Sequence, residues 1–118
     1  MSDTAGHAKI GNVLYPVSDV SGAVEFYERV FGFERKFIDG DRYAAIDAGG
    51  TTLAVAGPAE QMAAGPAVAF KVADVTATLD ALRQSGCRIL RDAETGPHEV
   101  RAVAQDPWGN ALVVYGPQ

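Results

Sequence analysis

The sequence predicts an α+β fold of two tandem βαβββ modules, and three observations carry that prediction. An apolar run ending in Val17-Ser18-Asp19-Val20-Ser21 recurs as Val72-Ala73-Asp74-Val75-Thr76, nearly half the chain further on. Each copy opens a segment of helical periodicity that stops at a glycine, Gly32 in the first and Gly86 in the second. Each helical segment is followed by short apolar runs parted by turn residues, the pattern of successive strands.

Taken in order, the alternation through Val13, Tyr15 and Val17 predicts a first strand over Ile10–Val17. Ser21 is a good N-cap for a helix running to about Val30 or Phe31. Ala23, Val24, Phe26, Tyr27, Val30 and Phe31 form a broad apolar stripe on it, which predicts that these aromatics are core, while Glu25, Glu28 and Arg29 face water. Three strands then follow, Phe33–Asp39, Arg42–Asp47 and Thr51–Ala56, with Gly40-Asp41 and Gly49-Gly50 as turns. The Gly-, Pro- and Ala-rich stretch from Gly57 to Pro66 reads as a connector with room for one helical turn. The second module repeats the order, with a strand over Ala67–Val72, a helix from Val75 or Thr76 to Ser85 and a strand over Cys87–Arg91. A loop over Asp92–His98 and strands over Glu99–Gln105 and Ala111–Tyr115 complete it. Asp106-Pro107-Trp108-Gly109-Asn110 is a turn signal between the last two strands, Pro fixing φ and Gly-Asn tolerating positive φ. The reading is thus one domain over residues 1–118, with module one at about 8–57, a connector at about 57–66 and module two at about 67–116.

The bulk properties narrow the function classes. A chain of 118 residues that is 47% hydrophobic and 21% charged has the size and composition of one globular domain folding by burial. No apolar stretch approaches the roughly 20 residues of a membrane span, so no membrane partner is expected. The start of the chain, Met1 to Lys9, lacks a hydrophobic core of the kind an export signal carries, and the single Cys87 excludes an intrachain disulfide; both point to a cytoplasmic address. Cys87 itself reads as a small buried hydrophobe. A net charge of −5 with a pI near 4.8 and no basic patch interleaved with aromatics argues against a nucleic-acid partner.

Two motifs sharpen this. The segment from Phe26-Tyr27 through Gly32-Phe33-Glu34 resembles the FYxxxxGFE segment of the vicinal oxygen chelate superfamily, the group of glyoxalases, bleomycin-resistance proteins and extradiol dioxygenases. Asp106-Pro107-Trp108-Gly109-Asn110 resembles its DPxGN turn, and the likeness spans Ile10 to Tyr115. The resemblance implies that each four-stranded sheet curls into half of a cup, giving a cupped mixed sheet, that modules are often exchanged in a homodimer, and that a divalent metal is held by side chains from the first and last strand of each module. In that pattern a His commonly stands seven residues before the Asp after the first strand, and here those places are Asn12 and Ala67. The family's Glu would stand seven residues after Asp106, at Val113, and its counterpart in module one falls at Ala54. None of these side chains binds a metal well, so neither metal nor cofactor is expected.

Strand parity places Asn12, Leu14, Ala54, Ala67, Val113 and Tyr115 on the cup face, with Tyr43, Ala45 and Asp47, and leaves Val13, Tyr15, Ala44, Ile46, Leu53, Val55, Leu112 and Val114 against the helices. The small cup-facing set suits a roomy cavity that Tyr43 and Tyr115 would clamp, with Trp108 stacking at its mouth. The function predicted is therefore a metal-free binding protein similar to the bleomycin-resistance branch, sequestering an aromatic or apolar small molecule, an antibiotic being one candidate, and carrying no catalytic residue. Two alternatives stand beside it. One is a superfamily enzyme, lyase, isomerase or dioxygenase, with a rebuilt or absent metal site, for which Asp47, His98 and Glu99 are the residues to examine; the other is a dimerising module with a vestigial cup. His7 and His98 lie in segments where a solvated histidine is the ordinary case.

Overall fold

The computed structural model describes residues 8–118. The elements run β1 (Lys9–Pro16), α1 (Val20–Phe31), β2 (Glu34–Asp39), β3 (Tyr43–Asp47), β4 (Thr52–Ala56), a short 3-10 turn (Pro58–Glu60), β5 (Ala67–Lys71), α2 (Val75–Gln84), β6 (Arg88–Thr95), β7 (Val100–Gln105) and β8 (Ala111–Gly116). This is the α+β arrangement of tandem βαβββ modules. The chain divides into two compact units, module one over residues 12–66 and module two over residues 67–118, the latter also taking in the start of β1 as far as Gly11.

The motif that betrayed the duplication is a duplicated helix cap. In module one the Asp19 carboxylate accepts from the Gly22 N–H at 3.0 Å, and α1 begins at Val20. In module two the Asp74 carboxylate accepts from the Ala77 N–H at 3.0 Å, and α2 begins at Val75. A cap of this kind satisfies one of the orphan amides of the first turn. The N-cap of α1 is therefore Asp19 and not Ser21, because Val20 is itself a fully buried core residue of the helix. At the other end Gly32 takes up left-handed φ of 73°, and its N–H donates to the Glu28 carbonyl.

Within module one the strand order is β2-β3-β4-β1, with β2–β3 and β3–β4 antiparallel and β4–β1 parallel, Val13 lying opposite Leu53. Module two repeats it as β6-β7-β8-β5, with Val68 opposite Leu112 in the parallel pair. The same backbone bond closes each one: the Val17 N–H donates to the Ala56 carbonyl and the Val72 N–H to the Tyr115 carbonyl, both at 2.9 Å.

One core fills each module. In module one Val20 and Val24 of α1 meet Ala44 and Ile46 of β3 and Leu53 and Val55 of β4. In module two Val75 and Leu79 of α2 meet Val72, Ala102 and Val114. The period-2 assignment of Ala44, Ile46, Leu53, Val55 and Val114 to the helix side is what these clusters contain.

Three further expectations need correction. The strand β6 continues to Thr95 where a loop was expected, since almost all of it is an exposed edge whose polar residues show no alternation. Its pairing with β7 slips twice, and β2 slips once between Arg35 and Phe37, irregularities that make both edges poor templates for another strand. Cys87 is half-buried rather than core. Finally, the α1 aromatics are not uniformly buried: Phe26 is 43% and Phe31 58% exposed. No helix among the described residues is long and apolar enough to cross a membrane.

Candidate functional site

The module-one sheet has two faces with different chemistry. On the face turned from α1, Asn12 is half-buried, and Leu14, Ala45, Ala54 and Ala56 are buried apolar positions. Small side chains on adjacent strands keep this floor shallow. The connector lies along its far end, where Gln61 and Met62 border Leu14 and Ala56.

Beside the floor stands an aromatic pair that period 2 does not reveal. The Tyr43 and Phe37 rings lie 5.8 Å apart at 31°, and Phe37 is about half exposed. The slip in β2 sets Phe37 opposite Ala45 after Arg35 has paired with Ile46, so the two residues of β2 point to opposite faces despite their even spacing. Arg35 accordingly reaches α1 and donates to Glu28 at 3.1 Å, holding that carboxyl below its usual range, whereas Lys36 donates to the Thr52 hydroxyl at 2.9 Å.

Asp47, a candidate ligand contact, is engaged locally. Its carboxylate accepts from the Gly49 and Gly50 amides at 3.0 and 3.2 Å, and these two bonds, the Gly50 one foremost, hold its pKa below the usual carboxylate value. Asp106 plays the same part at the matching turn of module two, accepting from the Trp108 and Asn110 amides at 3.0 and 2.8 Å and from the Asn110 side chain at 2.9 Å. The DPxGN motif is thus a self-bonded turn, with Gly109 at a φ of 91°. The Asn110 side-chain amide, followed by its backbone N–H, lowers the Asp106 pKa. A depressed folded pKa contributes stability that is complete above the unfolded value of about 3.9 and disappears as pH falls through the folded one. The variant D106A is expected to melt below the parent at pH 7, and the gap between them should close progressively below about pH 4. A gap in thermal midpoint that stays constant down to pH 3 would exclude this role.

Of the remaining candidates, Trp108 projects from the turn at 83% exposure. Tyr115 packs within module two against Gly11, its phenol oxygen only 1.7 Å from where a Cβ at position 11 would sit. Ala67 and Val113 are buried. His98 is exposed with Glu99 half-buried, and His7 lies outside the described residues. Neither the buried methyl groups of Ala54 and Ala67 nor the isopropyl of Val113 carries a lone pair, and an Asn12 amide is a weak ligand. Among the described residues no group of three or more His, Cys, Asp or Glu side chains converges. The residues at these positions do not fit a divalent metal.

The opposite face of the same sheet holds a recess of about 450 Å³ against α1. Val13 and Leu53 line it from the sheet, and Phe26, Tyr27, Phe31 and Phe33 line it from the end of the helix and the segment after it. Val20, Val24 and Tyr27, at i, i+4 and i+7, face the sheet; Phe31, at i+11, continues that stripe at the last residue of the helix, and Phe26 lies to the side of it. An apolar periodicity marks which side of a helix is greasy but not how far the sheet beneath it reaches.

This duplicated architecture agrees with what known proteins share with the chain. Residues 9–114 match the family model described as Glyoxalase/Bleomycin resistance protein/Dioxygenase superfamily. The chain belongs to this superfamily. A relative, an uncharacterized protein of Mycolicibacterium smegmatis, is 38% identical over 106 residues, 89% of this chain and 90% of its own. Among solved structures, a superfamily member from Vibrio splendidus 12B01 superposes with a TM-score of 0.73 at 16% identity, covering 92% of this chain and 98% of that one. Methylmalonyl-CoA epimerase from Mycobacterium tuberculosis superposes with a TM-score of 0.69 at 21% identity, covering 92% of this chain and 87% of its own. At such identities the superpositions establish the glyoxalase fold and leave the chemistry to the residues of the site.

Proposed function

We propose that this glyoxalase-superfamily chain is a metal-free binding protein that sequesters an aromatic or apolar small molecule, an antibiotic being one candidate, on the strand face of its modules. The observation that carries the reading is the Phe37–Tyr43 pair standing beside a floor of buried small residues at Ala45 and Ala54. The half-exposed Phe37 ring, held beside the half-buried Tyr43, offers a planar ligand a stacking partner. Asn12 adds one amide for orientation, and Trp108, Tyr115 and Asp47 remain contacts of the same proposal. Capture of this kind needs affinity and no turnover, which agrees with methyl and isopropyl groups at three of the positions where the superfamily resemblance places metal ligands. A cytoplasmic homodimer belongs to the same reading.

The test is calorimetric titration with a panel of planar aromatic antibiotics. At least one should bind at a defined stoichiometry, and Y43A and F37A should each weaken it by up to about tenfold, as loss of one aromatic pairing implies. Two results overturn the reading: binding indifferent to both variants, or about one equivalent of tightly held Zn, Mn, Ni or Fe per purified chain.

A further inference from the structure

We infer that module one carries a second, separate ligand site, the recess between α1 and the helix-facing side of β1 and β4, and that it takes an uncharged, planar aromatic molecule. It lies on the face of the sheet opposite the Phe37–Tyr43 pair, so its ligand is not the one proposed above. Its volume of about 450 Å³ falls within the roughly 300–1,000 Å³ usual for small-molecule sites.

The class of ligand follows from the walls. Tyr27 and Phe31 stack with centroids 5.9 Å apart at 21°, and Phe31 and Phe33 at 5.5 Å and 19°, so three successive rings are nearly parallel. Phe26 meets the first two edge-on. Tyr27 and Phe33 are half-buried and hold the central ring, Phe31, 58% exposed between them, an aromatic wall that favours a flat ring laid against it over a branched aliphatic chain. None of the lining residues bears a formal charge; the polar groups their side chains bring are the hydroxyls of Tyr15, Tyr27, Thr51 and Thr52. An ionised ligand would lose hydration against these uncharged walls, and the nearby Lys36 ammonium is exposed and already bonded to the Thr52 hydroxyl, whereas an uncharged one with a polar edge would find hydroxyl partners. Leu53, buried at the base, and the half-buried Val13 supply an aliphatic floor.

The experiment uses phenylnaphthylamine, an uncharged fused-ring fluorophore, titrated into the intact protein. The expected result is a saturable fluorescence rise at one equivalent per chain. The variant F31S should weaken it at least tenfold while Y43A and F37A leave it unchanged, and anionic anilinonaphthalenesulfonate should bind at least tenfold more weakly. A48L, which narrows the recess without removing a ring, should reproduce the effect of F31S and guards against misfolding as its cause. Three results overturn the inference. They are no saturable binding to the parent protein, binding that F31S and A48L leave intact, and a concentration-dependent dimer that F31S dissolves while the probe has no effect. Because Y43A and F37A report on the other face, failure of this site and failure of the strand-face site are read from different variants.

Discussion

The substitution G57A is expected to cost about 3 kcal/mol of stability, at the upper end for overpacking, and G116A a similar amount. Neither glycine is needed for its backbone conformation: Gly57 has φ −71° and ψ 174°, which any residue adopts, and Gly116 is not among the positive-φ glycines. What both need is space. A Cβ at position 57 would lie 2.1 Å from the Asp41 carbonyl oxygen and 3.2 Å from Val20 Cγ2; at position 116 it would lie 2.3 Å from the Val72 carbonyl oxygen and 3.4 Å from Val75 Cγ2. The obstacle in both is a carbonyl of the main chain, which has no rotamer to escape into. Gly11 differs, because there the nearest atom is the movable end of Tyr115. At roughly 4 °C per kcal/mol for a domain of this size, G57A should melt about 12 °C below the parent. A loss under about 1 kcal/mol in chemical denaturation would mean that the neighbouring strands yield, and the close-approach account would be wrong.

The two glycines also show how much of the fold was legible in the sequence. The repeat of Val-x-Asp-Val could be seen because it performs the same local task twice, ending a strand and capping a helix with Asp19 and Asp74. Turn chemistry at Asp106–Asn110 was readable for the same reason: its bonds stay within five consecutive residues. Alternation identified Ala44, Ile46, Leu53 and Val55 as helix-facing because β3 and β4 are regular and paired on both sides. Features decided by distant partners were not readable. Phe37 changed faces through an irregularity in β2 that depends on pairing with β3. The recess escaped notice because Phe26 and Phe31 have the spacing of core residues, and only the lateral reach of the sheet leaves them open. Ser21 and Asp19 are equally good caps by type, and the packing of Val20 into the core decides between them.

Shortening Ile46 is the second change with a large expected effect. Ile46 is 0% exposed and sits in the module-one core with Val20, Val24 and Val55. I46A should cost about 2–5 kcal/mol, from the lost transfer of the removed methyl groups and from the cavity they leave, and I46V about 0.5–1.5 kcal/mol. The upper half of the first range is expected, because β3 is clamped between β2 and β4 and cannot close in on the gap. Against a total of about 5–15 kcal/mol, the loss would leave a marginal fold. The informative comparison is with F31A. Were Phe31 part of the core, as its position in the helical stripe implies, removing its ring should cost about 3–5 kcal/mol, as much as I46A or more. With 58% of it exposed, and two stacks and one edge-on ring contact to lose at the low end of their usual range, the cost should be about 1.5 kcal/mol. Equal midpoint losses for I46A and F31A in urea would make the aromatic end of α1 a packed core element and remove the recess as a place for a ligand. A small loss for F31A would leave Phe31 without a packing reason to be aromatic, unlike Tyr27 and Phe33, which pack against the core, and a bound flat molecule then supplies one.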